Sequence, residues 1–477
     1  MAGMQTLAQK RKAAAMTDAP FRAPGLILIS LYCATASYGT LQSIVVPVLP
    51  EVARQLNATP AQSGWVLTSF LMVGGAVTPV LGRLGDLYGN LRVMAVTLVI
   101  FALGATVSLL SPTIEILIIG RLLQGFGAAT VSIGYALVRD LYPPGQAVSA
   151  VGRLAGATAA SAAVGLSLAG VVSMYFDFRA IFVLPLVAAL VALVLIIPQL
   201  SSEPRPPARQ DANVNWVGAI LFFGGIAFLL VAITQAGSST WMEPIAIVVS
   251  VASVLSLTGW VVSEQQARHP LLDIRLLIAP GVRLINATTL MAGAFAVGAF
   301  SLLPIALQTA APAGLGLNAA VVGLIALPIS CLNFAASSLS GAVADRVGTR
   351  RMLAVGFILS GVALGLVGFV HTEPWTYVIA SAIHGLGIGF FFSALPVLTM
   401  LLAEPGQSGS AAGVFSTLRS VGSAIGTQVI FVLLAASTQG NPGSGVIPAY
   451  WAVVCFWVAA FVLAVSVARN TKRTGSG

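Results

Sequence analysis

Long apolar runs, separated by short polar and basic interruptions, organise the whole chain. A helix needs roughly 20 mostly apolar residues to cross a hydrocarbon core. Fourteen stretches meet that measure: 26–48, 63–82, 92–111, 114–137, 148–173, 179–199, 214–235, 243–263, 282–308, 318–340, 351–371, 375–400, 407–436 and 447–468. The runs at 148–173 and 407–436 carry the weakest signal, because Gly, Ala and Ser replace larger apolar side chains. Small residues let helix backbones approach closely, which suits helices inside a bundle better than helices facing lipid.

Composition supports the same reading. The chain has 477 residues, of which 57% are hydrophobic and only 8% charged. Its mean hydropathy is +0.96. Soluble domains carry about 25% charged residues, so lipid must be the solvent for most of this chain. The net charge of +9 does not point to nucleic acid, because the basic residues sit in the gaps between apolar runs. With the N-terminus inside, 19 of the 23 Lys and Arg fall on one side, against Arg54 and Arg179 on the other, while Arg121 and Arg419 lie within spans. Basic residues stay on the cytoplasmic side, which places both termini in the cytoplasm and the protein in the cell membrane.

The first 24 residues are polar and basic, and the apolar run that follows is longer than a signal peptide's and lacks a convincing cleavage site. Cys33, Cys331 and Cys455 lie singly inside apolar runs, with no spacing that suggests a metal site or a disulfide framework. No cofactor or metal is implied. Asn57-Ala-Thr59 matches a glycosylation triplet on the outer side, a pattern common by chance. The proline-rich stretch Ser201 to Asp211 reads as a linker, and no long soluble domain or GxxxxGK[ST] phosphate loop marks an ATP-driven pump.

Two loops look alike. One reads Gly82-Arg-Leu-Gly-Asp86-Leu-Tyr-Gly89-Asn-Leu-Arg92 and the other Gly341-Ala-Val-Ala-Asp345-Arg-Val-Gly348-Thr-Arg350. A second pair, Gln124-Gly125-Phe-Gly127 and His384-Gly385-Leu-Gly387, follows at offsets of 42 and 43 residues. Two matches at preserved spacing indicate a duplicated unit, and parallel repeats are a transporter architecture. The repeats are eight spans apart, so two extra helices stand between two six-helix halves. The chain divides into a tail (1–25), a first half (26–200), a linker (201–213), two accessory helices (214–263), a second linker (264–281), a second half (282–468) and a tail (469–477). In each loop, glycine allows a tight reversal. The carboxylate of Asp86 or Asp345 can meet helix N-terminal amides and pair with the arginines that follow. Gly82, Asp86, Gly89 and Arg92, with Gly341, Asp345, Gly348 and Arg350, are therefore candidate elements of a cytoplasmic gate.

These motifs resemble those of the major facilitator superfamily, and within it the fourteen-span drug:proton antiporter branch. Gly120-Arg121-Leu-Leu-Gln124-Gly125 is similar to that family's fourth-helix motif, and Leu272-Asp273-Ile-Arg275-Leu276 to the segment before its ninth helix. The resemblance covers essentially the whole chain. It implies an all-α membrane fold of two six-helix halves plus two accessory helices, alternating access, and export of small drug-like or metabolite molecules. Two features depart from it. The fifth-helix Gly-Pro-x-x-Gly-Gly motif is replaced by Gly165-Leu166-Ser-Leu-Ala169-Gly170, and the first helix has no aspartate near Leu41. Both departures weaken the case for proton antiport more than the case for the fold. Uncoupled facilitation or metabolite uptake therefore stands beside it.

An ionisable group inside a span is a functional candidate by default. Arg121, Gln124, His384 and Arg419 are the transport or coupling candidates. The resemblance gives Arg121 a role in proton coupling or substrate contact, and Arg419 is placed near the cytoplasmic end of its span, as a gating or packing contact. Histidine is the side chain whose ordinary pKa lies nearest neutrality. Glu115, Asp140, Glu243 and Glu404 all lie near span ends, leaving no carboxylate in mid-span. Tyr38, Gln42, Trp65, Gln308, Asn333, Phe390 and Gln428 are candidate cavity residues. Such an aromatic and amide lining suits amphiphilic or uncharged organic molecules better than small anions, and the lack of buried acids argues against a strongly cationic drug. Protons, a small organic substrate and lipid are the expected partners of a monomeric transporter. No convergent nucleophile, acid/base pair or metal cluster supports a membrane-embedded enzyme.

Overall fold

Helices follow the apolar runs one for one in the computed structural model. It describes residues 24–142, 144–203, 214–238, 244–268, 270–272, 274–279, 282–309, 314–370, 372–402, 408–437 and 445–470. The first helix α1 (Pro24–Gln55) is followed by α2 (Pro60–Tyr88) and α3 (Asn90–Leu109). Helix α4 runs through Ile114–Gly125, a single 3-10 turn Phe126–Ala128 and Ala129–Leu141. Then come α5 (Pro144–Tyr175), α6 (Val183–Ile196, between the 3-10 turns Phe178–Phe182 and Ile197–Ser202), α7 (Trp216–Ser238) and α8 (Pro244–Gln266). The second half holds α9 (Arg283–Gln308), α10 (Ala319–Val347), α11 (Thr349–Phe369), α12 (Pro374–Leu402), α13 (Ser408–Ser437) and α14 (Val446–Asn470). Most of the N-terminal tail, the linker core 204–213 with Arg205 and Arg209, Glu243, Asp273, Glu404 and residues 471–477 lie outside the described residues.

Among the described residues, twelve helices are long and apolar enough to cross a membrane; α1 is not one of them, and the apolar stretch described in α5, Ala160–Val172, is shorter than a span. Polar side chains of α1 serve packing. These two helices lie against each other and are joined by polar contacts: Ser43 Oγ donates to the Ala162 carbonyl at 2.7 Å and Thr40 Oγ1 to that of Ser161 at 3.2 Å. Helix ends are set by local chemistry. Thr59 and Gln62 form a reciprocal capping box before α2, and Asn318 caps α10 through the Val321 amide. The Asn57–Thr59 triplet thus serves as a helix start. The repeated loops turn at Gly89 (φ 105°) and Gly348 (φ 87°), a conformation that side chains other than glycine adopt only with strain.

Packing between the halves is reciprocal. Helix α2, second in its half, lies along α13, fifth in the other, and α5 lies along α10 in the same relation. At the α5–α10 seam a Cβ added to Gly170 would stand 2.5 Å from the Cα of Ala320. The altered fifth-helix stretch therefore still does close-packing work, with Leu166 and Ala169 buried. Helices α7 and α8 pair through Phe222 on Trp260 (4.7 Å between ring centroids) and through Ser253 Oγ donating to the Gly225 carbonyl. Only α7 reaches inward, to α13 and α2.

The two ends of the bundle differ. At one end Gln308 Nε2 of α9 donates to the Pro47 carbonyl of α1 at 2.9 Å. Deeper from that end, Thr68 Oγ1 of α2 donates to Gln428 Oε1 of α13 at 2.9 Å. At the arginine-rich end, Gly82 and Gly341 have no atom within 4 Å of where a Cβ would stand, and Asp86 and Asp345 are exposed. The halves are thus joined at the first end, while Gly82 and Gly341 at the second face open space.

Replacing Gly170 by valine tests the seam. Overpacking of this kind costs about 1–3 kcal/mol. Thermal unfolding in detergent should show a clearly lowered midpoint, whereas Gly341→Ala, at an open position, should leave it unchanged.

Candidate functional site

Arg121 is the centre of the polar interior. The 3-10 turn after Gly125 follows directly on a helix in which Gly120 packs against Gly104 and Ser108 of α3. This approach brings Gln124 Nε2 onto the Gly104 carbonyl at 3.2 Å and Ser108 Oγ at 3.0 Å. The amide oxygen of Gln124 then accepts from Arg121 Nη1 at 2.8 Å, while Arg121 Nε donates to the Val66 carbonyl at 2.8 Å. The guanidinium is fully buried, with its carbon 4.2 Å from the centre of the Phe70 ring. Tyr38 stacks on the other part of that aromatic wall, 5.3 Å from Phe70 between centroids. Arg121 Nη2 has no hydrogen-bond partner. Removing a guanidinium from water costs several kcal/mol, so two hydrogen bonds and a ring face leave this charge incompletely compensated.

Arg419 comes from the other half. It lies in the first half of α13. Its guanidinium carbon is 5.8 Å from the centre of the Phe392 ring. Tyr38 lies within electrostatic reach of both Arg419 and Arg121, and Tyr135 within reach of Arg419. No ion pair among the described residues involves either one.

The other candidates separate into three kinds. His384 is buried, edge-on to Phe295 at 5.3 Å, and neither ring nitrogen has a hydrogen-bond partner. Gln308 and Gln428 are ties between helices: Gln428, fully buried, also donates from Nε2 to Thr234 Oγ1 of α7 at 2.6 Å, fixing the accessory pair to the seam. Gln42, Trp65, Asn333 and Phe390 are half-buried, and Asn333 Oδ1 accepts from Ser337 Oγ within its own helix at 3.2 Å. The structure brings Arg121, Gln124, Tyr38 and Arg419 together and leaves the rest dispersed.

The loop motif holds a correction. The expected contact of Asp86 with the following helix and its arginine is not made. Glu203, just past α6, takes that place: its carboxylate accepts the Leu91 amide at 2.7 Å and the Arg92 amide at 3.3 Å, and lies 3.8 Å from Arg92 Nε. The physical reason is reach. Asp86 sits on the exposed last turn of α2, whereas the 3-10 turn after α6 delivers Glu203 directly over the open N-terminus of α3, where the helix dipole favours an anion. Gly89 leaves room for it, since a Cβ there would stand 2.6 Å from the carboxylate. In the sequence Glu203 falls within the linker that begins at Ser201, and no local signal ties it to α3.

The chain matches the family model of the Major Facilitator Superfamily over residues 31–427 and again over 287–476. An uncharacterised transporter of that type from Mycobacterium tuberculosis is 27% identical, the match covering 88% of this chain and 61% of that protein. The chain thus spans about three-fifths of that relative's length. The puromycin resistance protein of Streptomyces alboniger is 29% identical over 84% of this chain and 79% of its own length. The probable multidrug resistance protein EmrY of Escherichia coli is 24% identical over 87% and 82%. Among solved structures, the xylose transporter of Escherichia coli in a partially occluded inward-open conformation superposes with a TM-score of 0.64 at 12% identity, covering 94% of this chain and 98% of that one.

Glu203→Gln should lower stability by about 1–2 kcal/mol, the difference between a charge-assisted cap and a neutral one. Asp86→Asn should change it by less than about 0.5 kcal/mol, as expected of an exposed group. Thermal melts of both variants check this, and equal losses would contradict the assignment. With its family model spanning most of the chain and its helices arranged in two reciprocally packed halves, this protein belongs to the major facilitator superfamily.

Proposed function

We propose that this chain exports a small organic molecule across the cell membrane by alternating access, with fourteen spans and with the arginine-rich end and both termini facing the cytoplasm. The observation that carries the reading is the asymmetry of the seam between the halves. It is tied at one end by Gln308–Pro47 and Thr68–Gln428, and open at the end bearing Gly82 and Gly341. A protein of two rigid halves joined at one end has its interior cluster reachable from the other end, and rocking exchanges the two. The basic loops orient the open end inward. Export, as against uptake, is supported by likeness to proteins whose names include puromycin resistance and multidrug resistance. The halves are residues 26–200 and 282–468, with α7 and α8 as an accessory pair tied to the seam through Thr234 and able to work within a monomer.

Proton exchange is a second reading of the driving force, favoured by the buried His384 with both ring nitrogens unpartnered. A neutral, buried imidazole is a group that a passing proton could occupy.

Reconstituted protein tested with a panel of lipophilic compounds and an internal pH dye decides between these. Saturable tracer flux is expected, and Arg121→Ala, which removes a fully buried cation and leaves the Gln124 amide oxygen without its donor, should reduce it by about 100-fold or more. A substrate-linked pH change that disappears in His384→Ala would establish the proton reading. Saturable flux with no pH change would leave movement of the solute itself as the transport event.

A further inference from the structure

The two arginines inside the bundle are the least explained feature of the interior. Each comes from a different half, Arg121 on α4 and Arg419 on α13, and both lie within electrostatic reach of Tyr38, whose ring stacks on Phe70 beside Arg121. Among the described residues neither is paired with a carboxylate. Arg121 is fully buried and Arg419 half-buried, and Arg121 Nη2 lacks any partner. A buried cation left without an anion is costly, so the site is electrostatically incomplete in the absence of a bound negative charge. The groups around it are aromatic: Phe70 lies against Arg121, Phe392 against Arg419, and Tyr38 and Tyr135 are the neighbouring phenols.

We propose that Arg419, Tyr38 and Arg121 form the binding site for an organic monoanion of aromatic character, and that the membrane potential drives its exit. The inference rests on the export reading above. Arg419, the more accessible of the two, makes the direct contact through its planar fork of donors. The Tyr38 hydroxyl donates a further hydrogen bond, and Arg121 behind the Phe70–Tyr38 wall supplies a fixed positive field. The aromatic side chains cover the apolar body of the solute, so that a small inorganic anion, lacking such a body, binds poorly. Charge located on both halves also gives the anion a means of drawing them together, since it interacts with each only when bound between them.

This site accounts for an absence noted in the sequence. Export of a neutral or cationic solute against its electrochemical gradient needs a coupling ion and a residue to carry it, and no described Asp or Glu lies in mid-span. An anion needs neither, because the potential itself pulls it outward.

The test uses the full chain in zwitterionic phosphatidylcholine liposomes, which present no competing anionic headgroup. They are loaded with 1-naphthalenesulfonate, a permanently charged aromatic anion, or with naphthyltrimethylammonium, a cation of similar body. A tenfold outward potassium gradient with valinomycin sets the interior negative and can hold up to about a ten-fold gradient of a monovalent anion. Saturable sulfonate efflux, accelerated by valinomycin and indifferent to an imposed pH gradient, is expected. Arg419→Gln should lower it by about ten-fold or more and Arg419→Lys by less than about three-fold, with melting temperatures that show both variants folded. Saturable flux of the cation but not of the sulfonate would overturn the anion site while leaving the exporter reading intact. Sulfonate flux that ignores valinomycin, or that survives Arg419→Gln unchanged, would also overturn it. Flux of neither ion by folded protein would overturn the anion site, and the exporter reading would then fail only if the wider lipophilic panel gave no saturable flux.

Discussion

A fully buried arginine with no carboxylate beside it is the constraint around which the interior is arranged. Charge at that depth must be met by fixed dipoles, ring faces or a ligand. Several otherwise separate features serve that need. Gly120 lies close against Gly104 and Ser108, so that Gln124 can be anchored on α3 and present its amide oxygen to Arg121. Val66 gives up its carbonyl from α2, and Phe70 and Tyr38 close the site from above. Thr40 and Ser43 of α1 bind it to α5 beside this site.

The seam between the halves is the second level of organisation. Helices α2 and α13 carry both kinds of residue: Thr68 and Gln428 hold the halves together, while Arg419, on the same helix as Gln428, faces the interior cluster. Motion of one half on the other must therefore alter the surroundings of Arg419 and the Gln428 amide together. Because Gln428 also donates to Thr234, helix α7 is attached to the moving seam and is no passive spacer. Helix α8 by contrast presents Val248, Val251, Val254 and Leu255 outward, as a lipid-facing helix does.

Much of this architecture was legible from the residues alone, and the parts that were not share a physical character. Periodic apolar runs and the paired glycine loops are local signals, and the helices and the Gly89 and Gly348 turns appear where those signals stand. Arg121 with Gln124 was also readable, since three residues apart on a helix they share a face. Contacts between distant segments were not. Glu203 reaches α3 across 112 residues of sequence, and Gln428 reaches Thr234 across 194. The sequence therefore made Asp86 the candidate cap and Gln428 a cavity residue, and only the tertiary arrangement gives these groups their partners.

The most direct measurement of the central claim, that two halves rock about an interior site, is the distance between spin labels at Asp86→Cys and Asp345→Cys, with Cys33, Cys331 and Cys455 replaced. Both positions are exposed at the open end, one on each half. Double electron–electron resonance in lipid nanodiscs should give two populations, the shorter gaining weight when a transported compound is added. A single distance, unchanged by any compound that the protein moves, would contradict alternating access about this site.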